Sequence, residues 1–391
     1  MIKIIHRYLA VSFIPPFLLS SAFFVLFLLT TQMFKVIRVV ISKGVDPSLI
    51  FKLMFDIGVS FVPLAVPISI FFATIYCISK LSEDSEIIAM RSFGLGKNKI
   101  LLPLMCVALM IAITTFALNW NVVPRSNQKF TNTLLQLTSK GILNNIRPGE
   151  FFTEIPNVIL FADKVSDEGK KLKNVFIQIT NKKKTETKVM MAAEGNLVKK
   201  KAPGSNITFL NLLLRDGNII TSFKKNSDLE KVLFKSYDFP LFSNKSMPGT
   251  LSRSAMLDSN TLYEKIEQDR TRLKKIKVKK KLSRKDKRKL VDLPREIARD
   301  LMEFYTRINT PLLSLIFVFL GFSLGVSKGR GENRSTGAIG LAILIVYYVL
   351  FFTGVSLIKK YSSNVMLIVF TPSAIMLMIG SYFYSKVDWN D

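Results

Sequence analysis

The sequence predicts a polytopic α-helical membrane protein with six transmembrane helices and an inserted all-β, jellyroll-like domain. Apolar residues gather into blocks long enough to cross a bilayer, for which about 20 residues suffice. These blocks form one group of three near each end of the chain. The residues between the groups alternate apolar and polar side chains in short runs separated by turn signals, which is typical of strands.

The predicted spans have few polar interruptions. The first, Leu9 to Phe34, holds no charged residue and is too long for the apolar core of a signal peptide, so we expect it to be retained. The second contains Asp56, Pro63 and Pro67, which predict a kink. The six spans are predicted at residues 9–34, 50–79, 100–123, 308–327, 337–358 and 364–385.

The middle of the chain predicts a β-sandwich or jelly roll of about 100 residues. Turns are predicted at Asp167-Glu168-Gly169, Pro203-Gly204-Ser205 and Asp216-Gly217-Asn218. The strand-like runs are Asn157–Ala162, Asn174–Thr180, Lys188–Ala193, Ile207–Leu214, Asn218–Phe223 and Lys231–Tyr237. The predicted organisation is therefore spans one to three in 1–123, the β domain in 124–260, a charged connection in 261–306 and spans four to six in 307–391.

The charge of the chain is strongly positive, with a formal net charge of +27. Residues 262–304 have a helical pattern, and within them 270–289 hold thirteen Lys or Arg against one acid, Asp286. We expect self-repulsion in the middle of this run. Much of the remaining excess lies beside the spans, so anionic lipid head groups are the expected partners and nucleic acid is not.

Short-loop charges predict the orientation, because cytoplasmic loops are enriched in Lys and Arg. With the N-terminus in the cytoplasm, the inner segments carry ten such residues and the outer short loops carry five. The inner ones are Lys3, Arg7, Lys80, Arg91, Lys97, Lys99, Lys328, Arg330, Arg334 and Lys386, and the outer ones Lys35, Arg38, Lys43, Lys359 and Lys360. The β domain is therefore predicted outside the cytoplasm.

The sequence offers no catalytic constellation. Its one histidine, His6, stands beside the first span, and Cys77 and Cys106 lie inside apolar blocks, where packing is the expected role. The run Gly94-Leu95-Gly96-Lys97 lacks the spacing of a loop that wraps phosphates. We therefore expect the chain not to be an enzyme, to need no metal or cofactor, and not to hydrolyse ATP itself. The Gly321 to Gly325 spacing fits close helix packing.

The loop between spans two and three carries one of two informative patterns. Ser82 can cap a helix with an acidic first turn, which suits the positive helix end. Gly94 can end that helix in the left-handed conformation. Such an amphipathic helix either lies at the bilayer surface or seats in a groove of a cytoplasmic motor protein. The residues that bear on the second interpretation are Ser85, Glu86, Met90, Arg91 and Gly94.

The outer end of span one carries the other pattern. Lys35 and Arg38 stand three residues apart and so share one helical face. They either extend to phospholipid head groups or bind the phosphates of a lipid substrate through charge-assisted hydrogen bonds.

Two local motifs stand out, Ser85-Glu86-Ile-Ile-Ala-Met90 followed by Gly94, and Glu303-Phe-Tyr-Thr-Arg307 with Pro311 beyond. They resemble the Ser-Glu-x-x-x-Met-x-x-x-Gly motif and the Glu-x-x-x-Arg motif before span four of the LptF/LptG permeases of the lipopolysaccharide export ABC transporter (the YjgP/YjgQ family). The spacing in this chain is somewhat nearer LptF. The Lys-rich 270–289 run departs from the family pattern, so nothing is carried over there.

The resemblance implies a multi-pass permease of the bacterial inner membrane with a periplasmic jellyroll. Its implied partners are a second permease half, an LptB ATPase dimer that uses the ATP, and periplasmic LptC/LptA-type jellyroll proteins. The implied cargo is lipopolysaccharide. Glu86 would be the key ATPase contact with Arg91 beside it, and Lys35 and Arg38 would face the lipid A phosphates.

Two other function classes compete with a permease. A membrane-anchored envelope scaffold would use the β domain to dock partners, and only the permease would bring an ATPase with it. An intramembrane enzyme needs paired polar residues at bilayer depth, and the predicted spans offer little beyond Asp56.

Overall fold

The computed structural model describes residues 2–41, 47–153, 158–166, 170–180, 186–201, 208–223, 226–240, 254–278, 284–326, 336–361 and 364–387. Lys43 and the predicted turns at 167–169 and 203–205 lie outside these residues. Helices and strands are numbered along the chain. The helices are α1 (Ile2–Ile41), α2 (Pro47–Glu83), α3 (Glu86–Ser92), α4 (Lys97–Ala117), α5 (Val123–Asn145), α6 (Ser259–Val278), α7 (Arg284–Gly325), α8 (Thr336–Tyr361) and α9 (Val365–Lys386).

Six helical stretches of the described chain are long and apolar enough to cross a membrane. They are Ile4–Met33, Ser48–Glu83, Lys97–Leu134, Leu290–Gly325, Thr336–Ile358 and Val365–Lys386. The third continues through a π-helical turn, Leu118–Val122, into α5. Together with the sheet described next, they confirm the predicted fold class of six membrane helices and an inserted β domain.

The inserted region forms one antiparallel sheet of six strands in chain order, β1 to β6. The alternation of apolar and polar residues that predicted the strands is visible in β2, where Val158, Leu160 and Ala162 are buried and their neighbours are not. The strands are β1 (Phe151–Phe152), β2 (Val158–Ser166), β3 (Lys171–Thr180), β4 (Glu186–Lys201), β5 (Thr208–Phe223) and β6 (Asn226–Pro240).

A crease crosses the sheet where one residue in each of five strands drops out of the pairing. These residues are Asp163, Asn174, Ala193, Asp216 and Lys235. Asn174 and Asp216 have φ of 50°, in the left-handed region, which bends a strand. The predicted turn at Asp216-Gly217-Asn218 was therefore wrong, because the signal marks the crease inside β5 rather than a strand end.

The buried side chains change from one face of a strand to the other at the crease. In β3 the buried residues step from Leu172 to Val175 instead of by two, and in β5 Leu214 is buried on one side of Asp216 while Thr221 is buried on the other. An odd step moves the buried side chains to the other strand face. One meandering antiparallel sheet therefore buries side chains on opposite strand faces before and after the bend.

The described chain divides into two compact units. The first contains Met1–Thr30, Ile57–Ser126 and Ser254–Asp391, and thus most of the membrane helices. The second contains Thr31–Asp56 and Asn127–Arg253, with the sheet.

The first unit is built around close contact between α2 and α7. A Cβ on Gly321 would lie 3.0 Å from Thr74 Cβ, and one on Gly325 would lie 2.9 Å from Ile78 Cβ. Only glycine permits this approach, as the spacing of the two residues predicted. The rings of Phe71 and Phe317 pack beside it with centroids 5.1 Å apart. The charged segment at 284–306 and span four form one helix, α7, without a break at residue 307.

Candidate functional site

The loop between α2 and α4 holds all five residues of the predicted coupling motif. Its short helix α3 begins after Ser85, which has a left-handed backbone with φ of 60°, and its C-cap Phe93 is followed by the left-handed Gly94, with φ of 75°. The Gly94 N–H donates to the Arg91 carbonyl at 2.8 Å, and the Leu95 N–H donates to the Met90 carbonyl at 3.2 Å. This pair of bonds is the glycine-terminated helix end that the sequence predicted at Gly94.

The predicted capping role of Ser82 was wrong. Ser82 lies inside α2, where its single hydroxyl hydrogen is shared between the Ile78 carbonyl at 2.9 Å and the Gly325 carbonyl at 3.4 Å. Because α2 continues to Glu83, a buried serine at this point bonds back to its own helix and to α7 rather than starting a new helix. The loop is therefore attached at its base to the end of span four.

Apolar contacts seat α3 on the membrane helices. Ile87 and Met90 are buried in one cluster with Leu9 and Phe13 of α1 and Ile100 of α4. The other side of the short helix is open: Ile88 is 50% exposed and Phe93 is 70% exposed. The loop thus presents an unpaired apolar surface that is flanked by the exposed acids Glu83 and Asp84.

Glu86 is held by the first span. The Tyr8 hydroxyl donates to Glu86 Oε1 at 3.0 Å. Glu86 is only half-buried, so its carboxylate has capacity for a second partner. Sequence reasoning missed Tyr8, because no local pattern links two residues 78 positions apart.

The first turn of α4, directly after the loop, is attached to the last span. Lys97 Nζ donates to the Tyr384 carbonyl at 3.2 Å and lies 4.5 Å from the centre of the Tyr384 ring. The Tyr384 hydroxyl in turn bonds to Asn98 Oδ1. Arg91 is half-buried on α3. The loop and the first turn of α4 are therefore connected to α1, α2, α7 and α9 within the first unit.

A cavity of about 1180 Å³ separates α1 from α2 next to the loop. Its walls include Tyr8, Ser12 and Phe23 on α1, and Phe72, Tyr76 and Lys80 on α2. Over its most apolar stretch only 6% of α1 is buried within the chain, against 72% of α2. Span one contacts the rest of the first unit at its first turns, through the apolar cluster and Tyr8, and at Phe24, whose ring stacks on that of Phe72 with centroids 5.6 Å apart.

The two predicted lipid-binding residues, Lys35 and Arg38, lie on α1 near its C-terminal end. Their side chains fall outside the described part of the structure. They belong to the second unit, whereas the loop belongs to the first. The pairing of these cations with a ligand therefore remains a prediction.

Among the described residues, no group of three or more His, Cys, Asp or Glu side chains is close enough to hold an ion. Cys77 is buried in the apolar cluster of the first unit, as its apolar surroundings in the sequence predicted, and Cys106 is exposed.

Comparison with known proteins identifies the chain over almost its whole length. A protein of Rickettsia prowazekii (strain Madrid E), uncharacterized protein RP871, is 23% identical over 218 residues. The match covers 56% of this chain and 58% of that protein, which is less than two thirds of the relative's length. A family model described as lipopolysaccharide export system permease LptF/LptG matches residues 7–386. The chain therefore belongs to the LptF/LptG permease family.

Proposed function

We propose that the chain is a permease subunit of an ABC transporter that extracts lipopolysaccharide from the inner membrane and passes it to a periplasmic bridge toward the outer membrane. The observation that carries the proposal is the family match from residue 7 to residue 386, which includes both groups of spans and the β unit. The sequence holds no phosphate-binding loop. ATP is therefore used by a separate cytoplasmic ATPase, and this chain needs no cofactor.

In this proposal α3 is the coupling helix and docks on a dimer of the LptB type. Its exposed Phe93 and Ile88 supply apolar area for a groove, and Glu86 supplies a charge for a basic partner. Arg91 and the left-handed Gly94 fix the far end of the docking surface. The connection of this loop to four helices gives nucleotide-driven movement a route into the membrane unit.

The lipid is held at the outer end of span one. Lys35 and Arg38 share a helical face and would bind the phosphates of the lipid head, where partial desolvation strengthens the attraction of a cation. The second permease half would cover spans one and five. In the described chain these two have the least buried apolar stretches of the six, 6% for span one and 17% for span five.

The β unit would meet LptC/LptA-type periplasmic proteins by strand addition. Among the described strands β6 is an edge strand, since it pairs with β5 alone. It is 15 residues long and exposes Val232 and Leu233, so a further strand could extend the sheet there.

The decisive experiment is ATP-driven release of lipopolysaccharide. The chain would be purified with its second half and the ATPase, reconstituted in liposomes, and assayed for transfer of lipopolysaccharide to a soluble acceptor. Transfer that needs ATP supports the proposal, and ATP hydrolysis without transfer contradicts it. Glu86→Ala should reduce ATPase co-purification by a factor of about 10 or more, the loss of a charge-assisted hydrogen bond. Normal ATPase binding by this variant would remove the coupling role of Glu86.

The location of the β unit is tested by cysteine labelling. Cysteines placed at Ser166 and Asn226, at strand ends of the sheet, should react with a membrane-impermeant thiol reagent once the outer membrane is permeabilised. A cysteine at Asp84, in the α2–α4 loop, is the control and should react only after the inner membrane is broken. The reverse pattern would invert the topology.

The lipid site is tested by photocrosslinking from positions 35 and 38, with position 27 on the same helix as control, since Phe27 is an exposed apolar residue. Crosslinks to lipopolysaccharide at 35 and 38 but not at 27 support the site. The double variant Lys35→Glu with Arg38→Glu should impair growth, because it places like charge against the phosphates. Unimpaired growth at normal protein level, without a crosslink, would reduce both residues to head-group anchors.

A further inference from the structure

Buried polar side chains form a second cluster in the first unit, away from the α2–α4 loop. We call it the Arg307 cluster. It joins α7 to the π-helical turn at the end of α4 and to the segment that precedes and begins α6. Its members are Asn119, Ser254, Ser259, Lys265, Asp300, Glu303 and Arg307.

Arg307 bonds to three groups at once although it is only 5% exposed. Its Nη1 donates to Ser259 Oγ at 2.9 Å, its Nη2 donates to the Ser254 carbonyl at 3.1 Å, and its Nε donates to Glu303 Oε1 at 3.4 Å. The planar fork of a guanidinium suits this task, since it offers five donors in fixed directions, whereas an ammonium offers a single point charge.

The same cluster engages the end of span three. Asn119 Nδ2 donates to the Arg307 carbonyl at 3.5 Å, and the Ser259 hydroxyl donates to the Trp120 carbonyl at 3.4 Å. Asn119 and Trp120 lie in the π-helical turn, where the changed hydrogen-bond spacing leaves backbone carbonyls to other partners. Ser259 therefore bridges Arg307 and the π turn.

Asp300 strengthens the other side of the cluster. Its carboxylate is 3% exposed, and it accepts bonds from the Ser254 hydroxyl and from Lys265 on α6. Ser254 is thus held twice by α7, through its carbonyl by Arg307 and through its hydroxyl by Asp300. All of these groups belong to the first unit.

The Arg307 cluster lies close to the two points where the chain leaves and re-enters the first unit. The chain passes from the first unit to the second after Ser126 and returns at Ser254. The Arg307 cluster holds the chain seven residues before the first of these points, at Asn119, and directly at the second. Span four is therefore bonded to both the outgoing and the returning segment of the β insertion.

We propose that Arg307 is a positioning residue for lipid transport, which fixes the two attachment segments of the β unit to span four so that they move with it. The inference rests on the proposed permease function. A buried ion pair is seldom retained for stability alone, because apolar residues of similar volume do as well or better. Two of the three guanidinium bonds go to Ser254 and Ser259 in the returning segment, and the Ser259 hydroxyl in turn bonds to Trp120 in the outgoing segment. Directed bonds of this kind define geometry, which a transporter needs when movement in the membrane must deliver lipid to the β unit.

The test compares two cluster variants with a matched control. Arg307→Gln removes the charge and most of the fork. Ser259→Ala removes only the hydroxyl that bridges to the π turn, and it protects the test against misfolding of the first variant. The control is Arg299→Gln, two turns away on α7, where the side chain is exposed and 4.0 Å from Glu296.

The first readout is the amount of lipopolysaccharide delivered per ATP hydrolysed in the reconstituted complex. A merely structural role would lower the amount of folded protein and leave this ratio unchanged. We expect the ratio to fall about tenfold in Arg307→Gln and less in Ser259→Ala, while Arg299→Gln keeps the normal value. ATPase binding should be normal in all three variants.

The second readout is amide hydrogen exchange in detergent, which needs no lipid or ATP. Amides at 118–122 and 254–259 should exchange about tenfold faster in Arg307→Gln, and those of the control should not change. A normal ratio and normal exchange in both cluster variants would overturn the inference. A wild-type complex that delivers no lipid, with exchange changed as expected, would instead contradict the proposed function.

Discussion

The α2–α4 loop and the Arg307 cluster lie on the same helix bundle but are held by different forces. Eighteen residues of α7 separate Arg307 from Gly325, which carries the base of the loop, so the two sites stand about 27 Å apart at 1.5 Å per residue. The loop sits on apolar contacts and leaves Phe93 70% exposed. The cluster is buried and bonded by directed, charged groups.

This difference indicates which of the two sites can move and which has a fixed geometry. Apolar contacts have no strict direction, so a helix seated by Ile87 and Met90 can shift as a docked partner moves. A buried guanidinium with three acceptors makes all of its bonds in one geometry only. Any other geometry leaves its buried charge without hydrogen-bond partners. The following changes separate the two behaviours, from the largest expected effect to the smallest.

Asp300→Leu should lower the free energy of unfolding by about 3 kcal/mol, since it removes the buried partner of Lys265 and Ser254. Thermal unfolding in detergent measures the loss. The control Asp292→Leu changes an exposed acid on the same helix and should stay within about 0.5 kcal/mol. Equal losses in the two variants would mean that the cluster is no more rigid than the helix surface.

Gly325→Ala should cost about 1–3 kcal/mol, because the new Cβ would lie 2.9 Å from Ile78 Cβ and 3.2 Å from the Ile75 carbonyl. It should also weaken ATPase binding, since the Gly325 carbonyl accepts the Ser82 hydroxyl at the base of the loop. The control is Gly337→Ala, where a Cβ meets nothing within 4 Å. Unfolding and co-purification measure the two effects, and an unchanged Tm would show that α2 and α7 can separate freely.

Phe93→Ser should leave the unfolding of the isolated chain within about 0.5 kcal/mol of wild type and weaken ATPase binding by about 1.5–3 kcal/mol, the value of burying one such side chain. Ile87→Ala should instead lower the free energy of unfolding of the isolated chain, because Ile87 is already buried. Titration of the ATPase against each variant shows whether the ATPase docks on the exposed side of α3, which carries Phe93. Wild-type affinity in Phe93→Ser would exclude this surface from docking.

Tyr8→Phe should weaken ATPase coupling by about 1 kcal/mol, because Glu86 loses the hydrogen bond that orients it. A double-mutant cycle with Glu86→Ala isolates this interaction, since each single change removes the hydrogen bond between Tyr8 and Glu86. Tyr76→Phe, on the wall of the same cavity, is the control and should have no effect. Additive effects of the Tyr8 and Glu86 changes would mean that span one does not position the carboxylate.

Much of the loop was readable from the sequence because its signals are local. Gly94 follows an amphipathic turn by the spacing that a left-handed helix end requires, and the structure has φ of 75° there. The same reasoning gave a wrong capping role for Ser82, because a serine bonds equally well to a preceding helical carbonyl when α2 continues past it. Tyr8 gave no signal, since its contact with Glu86 depends on how α1 packs against α2.

The β unit likewise has one feature that the sequence predicted and one that it did not. Alternation of apolar residues predicted the strands, because side chains of a strand point to opposite faces by covalent geometry. The crease could not be predicted, since Asp216-Gly217 favours a left-handed residue equally in a hairpin turn and in a bend within a strand. The pairing of β5 with β4 and β6 on both sides of the bend selects the second.

The sequence by itself determined the membrane spans, the strand content, the absence of a phosphate-binding loop and the Ser-Glu-x-x-x-Met motif, because hydropathy, periodicity and motif spacing are properties of neighbouring residues. Only the tertiary structure decided that Tyr8 holds Glu86, that Ser82 binds Gly325, and that the Arg307 side chain joins span four to the segment returning from the β insertion. These bonds connect residues 48 to 243 positions apart. Their geometry exists only after helix packing has brought the partners together.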